Sequence, residues 1–273
     1  MKEGDEIEKF LKYMPAFDKG QVVILNFLFQ FLLFIFFMFS FWWTTNRYLL
    51  AALLVEFILV FLGTFPYKYI TKNSEKLREK YLKKYGDIAA QKLWFHYETY
   101  TIPFLSASLY FPLLLINYDF VPNLINFQPH FLTNSLLPFY LSIPLSILII
   151  IIGVRIKKPS GGFGELVEAY IYIIFPKESK LINKGKYQYI RHPRYLGRAT
   201  IAFGLGILAN NILAIMVAAT HAFTFWSMIP YEENELSRRF GEEYKNYKKR
   251  VPALLPRYGK CKKFIKYIFS KEE

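Results

Sequence analysis

Between Lys19 and Arg47 the chain carries no charged residue, and the run VVILNFLFQFLLFIFFMFSFWW inside that stretch is long enough to cross a bilayer, which takes roughly 20 apolar residues. A chain with such a run folds against lipid, where backbone groups must be paired internally and a helix is the simplest solution. Arg47 is followed by a second span, Tyr48 to about Pro66, holding one acid, Glu56. Residues 67–92 are dense in Lys and Arg and read as a helix along the membrane surface. No Lys or Arg occurs from Leu93 to Val154, which leaves room for spans at about 93–117 and 134–154 on either side of the loop DFVPNLINFQPHFLTN.

Cations crowd residues 155–198, vanish through 199–231, and return from Arg238 to Lys271. The positive-inside rule puts 67–92, 155–198 and both termini on one cytoplasmic side. Residues 199–231, basic on both flanks, must then enter the membrane and return, turning at Asn210 and Asn211. Ala202 and Gly206 on one arm, and Ala214, Ala218 and Ala222 on the other, allow close packing. The expected fold is all-α: a polytopic integral membrane helical bundle of about six membrane segments, with a C-terminal helical hairpin and a cytoplasmic amphipathic tail helix. Residues 1–154 form the N-terminal transmembrane region with its cytoplasmic loop 67–92, and 155–273 form a second unit.

Composition agrees, at 53% hydrophobic and 19% aromatic residues. The net charge of +14 sits at the ends of apolar segments, where it orients the chain, so no nucleic-acid partner is expected. Cys261 alone permits no intrachain disulfide and no cysteine cluster. Histidines 96, 130, 192 and 221 show no ligand spacing, so no metal is expected. ELVEAYIYIIF, Glu165 to Phe175, is too short to span and lies in the interface or plugs the bundle. The preceding SGGFG lacks the register of a phosphate-binding loop.

Polar chemistry collects in KGKYQYIRHPRYLG, Lys184 to Gly197, and in Glu232–Glu233 one hairpin later. After Pro230 the residues Leu236, Phe240, Tyr244, Tyr247 and Val251 form the stripe of an amphipathic helix. Glu232 and Glu233 fall in its expected first turn, where the helix dipole favours carboxylates. Arg238, Arg239, Lys245, Lys248 and Lys249 populate its other faces and suit anionic lipid headgroups. Taken singly, the tyrosines read as an interfacial aromatic belt and the glutamates as a solvated helix start. Glu56, His96, Glu98 and His221 lie in or near spans, where ionisable groups attract functional suspicion, but a structural role accounts for each equally well.

LINKGKYQYIRHPRYLG, an apolar hairpin, and YEENELSRRFGEEYKNYKKRVPALLP together resemble the C-terminal half of the isoprenylcysteine carboxyl methyltransferase and phospholipid methyltransferase superfamily. Its pattern is GPYRYxRHPxYxG, a hairpin, then EExxLxxxFGxEYxxYxxxVPxxxP, and the resemblance covers roughly Leu181 to Pro256. It implies an integral membrane enzyme that transfers a methyl group from S-adenosylmethionine to a lipid or prenyl-type acceptor at the cytoplasmic face, with 155–273 as the methyltransferase core. Leu181, Gly185, Tyr187, Tyr189, His192, Pro193 and Tyr195 would line the cofactor pocket from one side, and Glu232 and Glu233 from the other. An amine acceptor would need a base, for which the resemblance offers His192 or Tyr195; a carboxylate would need none.

Departures from the pattern carry information. Lys186 replaces a proline and is expected to loosen the loop. Met228 stands where the carboxyl methyltransferases carry an arginine, which points away from a prenylcysteine carboxylate and toward an amine, phenol or other lipid acceptor. Tyr231 matches the phospholipid enzymes. Sterol reductases share an RHPNYxG loop and a late YxxVP tail, so an NADPH-dependent membrane reductase and a non-enzymatic protein retaining the fold stay open as alternatives.

Overall fold

A computed structural model describes residues 10–116, 131–158 and 165–270. The loop 117–130, His130 and SGGFG therefore lie outside the described residues. The longer helices are α1 (Gln21–Arg47), α2 (Ala51–Lys72), α3 (Ser74–Tyr85), α4 (Ala89–Tyr110), α5 (Phe139–Lys157), α6 (Glu165–Ile174), α7 (Pro193–Ala209), α8 (Ile212–Phe240), α9 (Glu242–Arg250) and α10 (Cys261–Phe269). Helices α1, α2, α5 and α8 are long and apolar enough to cross a membrane; α4 and α7 pack among them. The outward faces remain apolar: Phe27 and Phe31 on α1, Phe57 and Phe61 on α2, Ile147 and Ile151 on α5, and Phe223 and Trp226 on α8 are all exposed. Such a belt has no place in water and is what lipid covers.

Two helices run further than the sequence suggests. Helix α2 passes through Pro66 to Lys72. Helix α8 passes through Pro230 and continues to Phe240, so Glu232 and Glu233 sit far inside a 29-residue helix instead of in a first turn. The dipole argument for them fails, and tertiary contacts must explain the pair. Proline is tolerated inside membrane helices, where neighbouring groups can satisfy the carbonyl that its missing N–H leaves free. The expected tail helix instead breaks at Gly241, at φ 56°, and α9 starts there; its stripe still forms, since Tyr244, Tyr247 and Val251 cluster with Leu181, Leu236 and Phe240.

The hairpin forms as expected. Asn210 adopts a left-handed conformation at φ 63° and ψ 33°, one that asparagine tolerates better than most residues. The Asn211 side chain caps α8 by accepting from the Ala214 N–H at 2.9 Å, and its Nδ2 donates to the Leu115 carbonyl at 2.6 Å. Across the hairpin, a side chain at Gly206 would reach the Ala218 Cβ at 3.2 Å. The tightest approach lies elsewhere, between α7 and α5: a Cβ on Gly197 would stand 2.6 Å from the Lys157 nitrogen and 2.7 Å from the Gly153 carbonyl oxygen. That contact explains the last glycine of RHPRYLG, and it seats the N-terminal end of α7 against the end of α5.

Short α6 does plug the bundle. Tyr170, Ile171, Ile173 and Ile174 are buried with Ile70, Leu77, Tyr81 and Trp94 in one apolar cluster. Helix α3, within the basic stretch 67–92, buries Leu77 and Tyr81 in the same cluster.

Candidate active site

The RHP loop is held by the segment that follows α9. The backbone N–H groups of Arg191 and His192 donate to the carbonyls of Pro252 and Ala253, each at 2.9 Å. The Tyr247 hydroxyl donates to the Tyr187 carbonyl at 2.7 Å. The VPALLP tail therefore works as a strap that fixes where His192 points. Lys186 does not loosen this loop. It is buried, and its ammonium donates to the Ile156 carbonyl at 3.0 Å and also to the Lys158 carbonyl, tying the loop to the end of α5. Gly185, at φ 61°, turns the chain into this loop in a conformation that a side chain would strain.

Glu233 is the centre of a charge cluster. Its Oε1 accepts from Arg191 Nε at 2.8 Å and meets His192 Nε2 at 3.1 Å, and Lys248 Nζ lies 2.6 Å from Oε2. Arg191 Nη1 also donates to the Val251 carbonyl. Glu232 meets the other ring nitrogen, Nδ1, at 3.4 Å. The two carboxylates differ in access: 28% of the Glu232 side chain is open against 5% for Glu233. Burial disfavours the charged form of His192, but the two carboxylates outweigh it and raise the ring's pKa from 6.5 to about 9. At neutral pH His192 thus keeps both protons and has no lone pair to act as a base.

A cavity of about 420 Å³ opens beside this cluster, within the range of small-molecule sites. Leu181, Tyr187, His192, Pro193, Tyr195 and Glu232 line it. Three other residues that the resemblance suggests are placed differently. Gly185 shapes the loop without reaching the wall. Tyr189 packs on Phe264 and Tyr267 of α10, with ring centroids 5.6 and 6.0 Å away. Glu233 stands behind the wall and supports it.

The wall also contains residues that the motif does not reveal. Tyr67 comes from α2, Glu98 and Thr101 from α4, Tyr170 from α6, Arg198 from α7, and Glu235 and Arg239 from the far part of α8. Glu98 is buried and accepts from the Tyr170 hydroxyl at 2.8 Å. Arg239 grips Glu235 through two bonds, at 3.1 and 2.6 Å. Spacing within α8 would have flagged that i,i+4 pair; Tyr67 and Glu98 reach the site only through tertiary packing. The His192 and Tyr195 rings stack at 5.4 Å and 6°, Tyr195 lies 5.4 Å from Phe225, and Arg198 sits 5.1 Å over the other end of that row, the Phe225 ring.

Fold and site define a helical membrane protein with a partly open cavity at one end of the bundle, carrying the charged groups Glu232, Glu235, Arg198 and Arg239 and apolar where Leu105, Phe225 and Met228 line it. Residues 138–243 match the family described as Phospholipid methyltransferase. The chain is 30% identical over 132 residues to the Protein-S-isoprenylcysteine O-methyltransferase of Schizosaccharomyces pombe, covering 47% of this chain and 54% of that one. It is 41% identical over 78 residues to Protein-S-isoprenylcysteine O-methyltransferase B of Arabidopsis thaliana, covering 28% and 40%. A Nickel-cobalt-cadmium resistance protein, NccN, of Alcaligenes xylosoxydans xylosoxydans is 35% identical over 88 residues, covering 32% and 41%. The chain spans about half the length of the curated relatives it matches. No solved structure matches it. Over these residues the chain is similar to the isoprenylcysteine carboxyl methyltransferases and phospholipid methyltransferases.

Proposed function

We propose that the protein is an S-adenosylmethionine-dependent methyltransferase acting on a lipid or prenyl-type acceptor at the cytoplasmic membrane face, with residues 155–273 as its core. The observation that carries this reading is Glu232: a carboxylate on the cavity wall with 28% of its side chain open, its Oε2 3.4 Å from His192 Nδ1, and the Tyr187 and Tyr195 rings on the same wall. Carboxylates and aromatic faces are the groups that receive a sulfonium and an ammonium in an enclosed site. Tyr187, Tyr195 and Leu181 shape the donor end and exclude water. Glu233, Arg191 and Lys248 hold His192 in place. When bound, the donor supplies a methyl group on a cationic sulfur; the chain's task is to align an acceptor with it and keep the site dry.

The relatives' names refer to isoprenylcysteine, and the apolar end of this cavity, between α4 and α8, suits a hydrocarbon acceptor entering from the bilayer. The basic segments at 67–92, 155–198 and the C-terminus favour a cytoplasmic site. The competing reductase has one observation on its side. Arg191, Arg194, Arg198 and Arg239 all touch the cavity, as a polyanionic dinucleotide would require. Titration calorimetry of the detergent-solubilised protein separates the two readings. Micromolar binding of S-adenosylhomocysteine without binding of NADPH is the expected result, and binding of NADPH alone overturns the proposal.

A further inference from the structure

The basic residues at the end of α8 and on α9 divide between two sides of the protein. Toward the cavity, Arg239 is held by Glu235, and Lys248 is held by Glu233. On the other side, Tyr231, Asn234, Ser237 and Arg238 of α8 line a second recess, together with Thr71 and Lys72 of α2 and Lys245 of α9. Thr71 lines both hollows, so the ends of α2 and α8 form the wall between them. Among the described residues no acid lines the recess, and none pairs with Lys72 or Arg238, both of which are exposed. Arg238 donates one bond to the Thr71 carbonyl, at 2.6 Å, and has further donors to offer. Lys245 pairs with Glu242 at 2.6 Å, but both side chains are open to solvent, where such a pair is worth little. Lys68 stands at the membrane end of the recess, donating to Ser227 Oγ at 2.9 Å and lying 5.6 Å from the Tyr231 ring centroid.

Beyond Lys68 the same surface turns apolar. Phe223, Ser227, Tyr231, Asn234 and Arg238 recur at steps of four and three, which is one face of α8, and Phe65, Tyr69 and Lys72 do the same on α2. Phe223, Trp226, Phe65 and Tyr69 are all exposed. Phe223 lies about 12 Å along the helix axis from Tyr231, within the roughly 15 Å that one leaflet contributes to the hydrocarbon core. A recess of cations continued by an apolar stripe of that length matches an amphiphile with an anionic head.

We propose that this recess binds the headgroup phosphate of an anionic phospholipid whose acyl chain lies along Phe223, Trp226 and Phe65. Cations with no acid among them suit a phosphate and leave the ammonium of a choline headgroup without a counter-charge. The lipid is a neighbour of the cavity rather than its acceptor, so the inference stands apart from the methyltransferase reading. Since α2 and α8 present Tyr67, Glu232 and Glu235 to the cavity, a lipid that bridges Lys72 and Arg238 braces the cavity wall from behind.

The test is native mass spectrometry of the detergent-solubilised protein with equal amounts of dioleoylphosphatidylglycerol and dioleoylphosphatidylcholine. Wild type is compared with Lys72→Gln/Lys245→Gln and with Lys262→Gln/Lys263→Gln, which removes the same charge from exposed positions on α10. Wild type should retain phosphatidylglycerol over phosphatidylcholine by about tenfold, as two or three interfacial cations allow, and its melting temperature should rise with the anionic lipid. The recess variant should lose both effects and the α10 variant should keep them, with melting temperatures in lipid-free detergent showing that each is folded. A second measurement leaves the charges intact: phosphatidylglycerol with brominated chains should quench the fluorescence that Trp226→Phe removes, and brominated phosphatidylcholine should not. Equal retention of the two lipids, equal losses in the two double variants, or equal quenching by the two brominated lipids overturns the proposal. So does an equal rise in melting temperature with inorganic phosphate alone, which would mark a site for a free anion.

Discussion

Glu233 and Glu56 are both buried carboxylates close to a histidine, yet Glu233 is surrounded by cations while Glu56 has a single hydroxyl partner, on Oε1, and a buried Oε2 with none. Glu233, at the end of the bundle that carries the basic segments, is met by Arg191, Lys248 and His192. Glu56, inside α2, is met by the hydroxyl of Ser108, which in turn lies 2.6 Å from His221 Nδ1, and all three side chains are fully buried. Among the described residues no cation pairs with Glu56. Where water is close, the chain assembles a charged cluster that builds one wall of a cavity. Deep in hydrocarbon it assembles a chain of polar contacts joining α2, α4 and α8, because unpaired charge there is expensive.

The sharpest way to break this contrast is to neutralise each acid in turn. Glu233→Gln leaves Arg191 and His192 without their counter-charge and should cost about 3 kcal/mol, as expected for breaking a buried ion pair from one side; chemical unfolding in detergent reads it. Gly197→Ala sets a steric scale at the same end of α7. Its Cβ would press on the α5 backbone, and a loss of about 1–3 kcal/mol in the same assay is expected.

The third prediction concerns pH. The His192 pKa is raised from 6.5 to about 9, so its stabilising contribution is complete below 6.5 and is lost as pH rises through 9. Melting temperature should therefore fall between pH 7 and 10 in wild type and fall less in His192→Gln. The smallest effect is expected at Glu56→Gln, which keeps an acceptor for Ser108 and should change stability by less than about 1 kcal/mol. A loss equal to that of Glu233→Gln would show that Glu56 also works as a charge and would erase the comparison.

Much of this architecture can be read along the chain. The charge-free runs mark the spans, Asn210 and Asn211 mark the turn, and the order RHP loop, hairpin, Glu pair brings the loop and α8 together. What cannot be read is which of two adjacent residues does what. Glu232 and Glu233 are separated by about 100° around a helix, and only the positions of Arg191 and Lys248 decide that Glu233 supports the wall while Glu232 faces the cavity. Tyr67, Glu98 and Arg198 have no local signature, because they belong to spans whose rotation is set by packing. Lys186 misleads for a similar reason: its carbonyl partners lie at the end of α5, about 30 residues earlier in the chain. Pro230 signals a helix start in water and is passed over in a bundle.

The central claim is that Glu232, facing the cavity, receives a cationic donor. Calorimetric affinity for S-adenosylhomocysteine, whose ammonium group remains, is the most direct measure, compared between wild type and Glu232→Gln at matched melting temperature. Removing one charged contact should weaken binding by about tenfold or more, the equivalent of 1.5–3 kcal/mol for a charge-assisted hydrogen bond. An unchanged affinity in a folded Glu232→Gln protein would contradict the account.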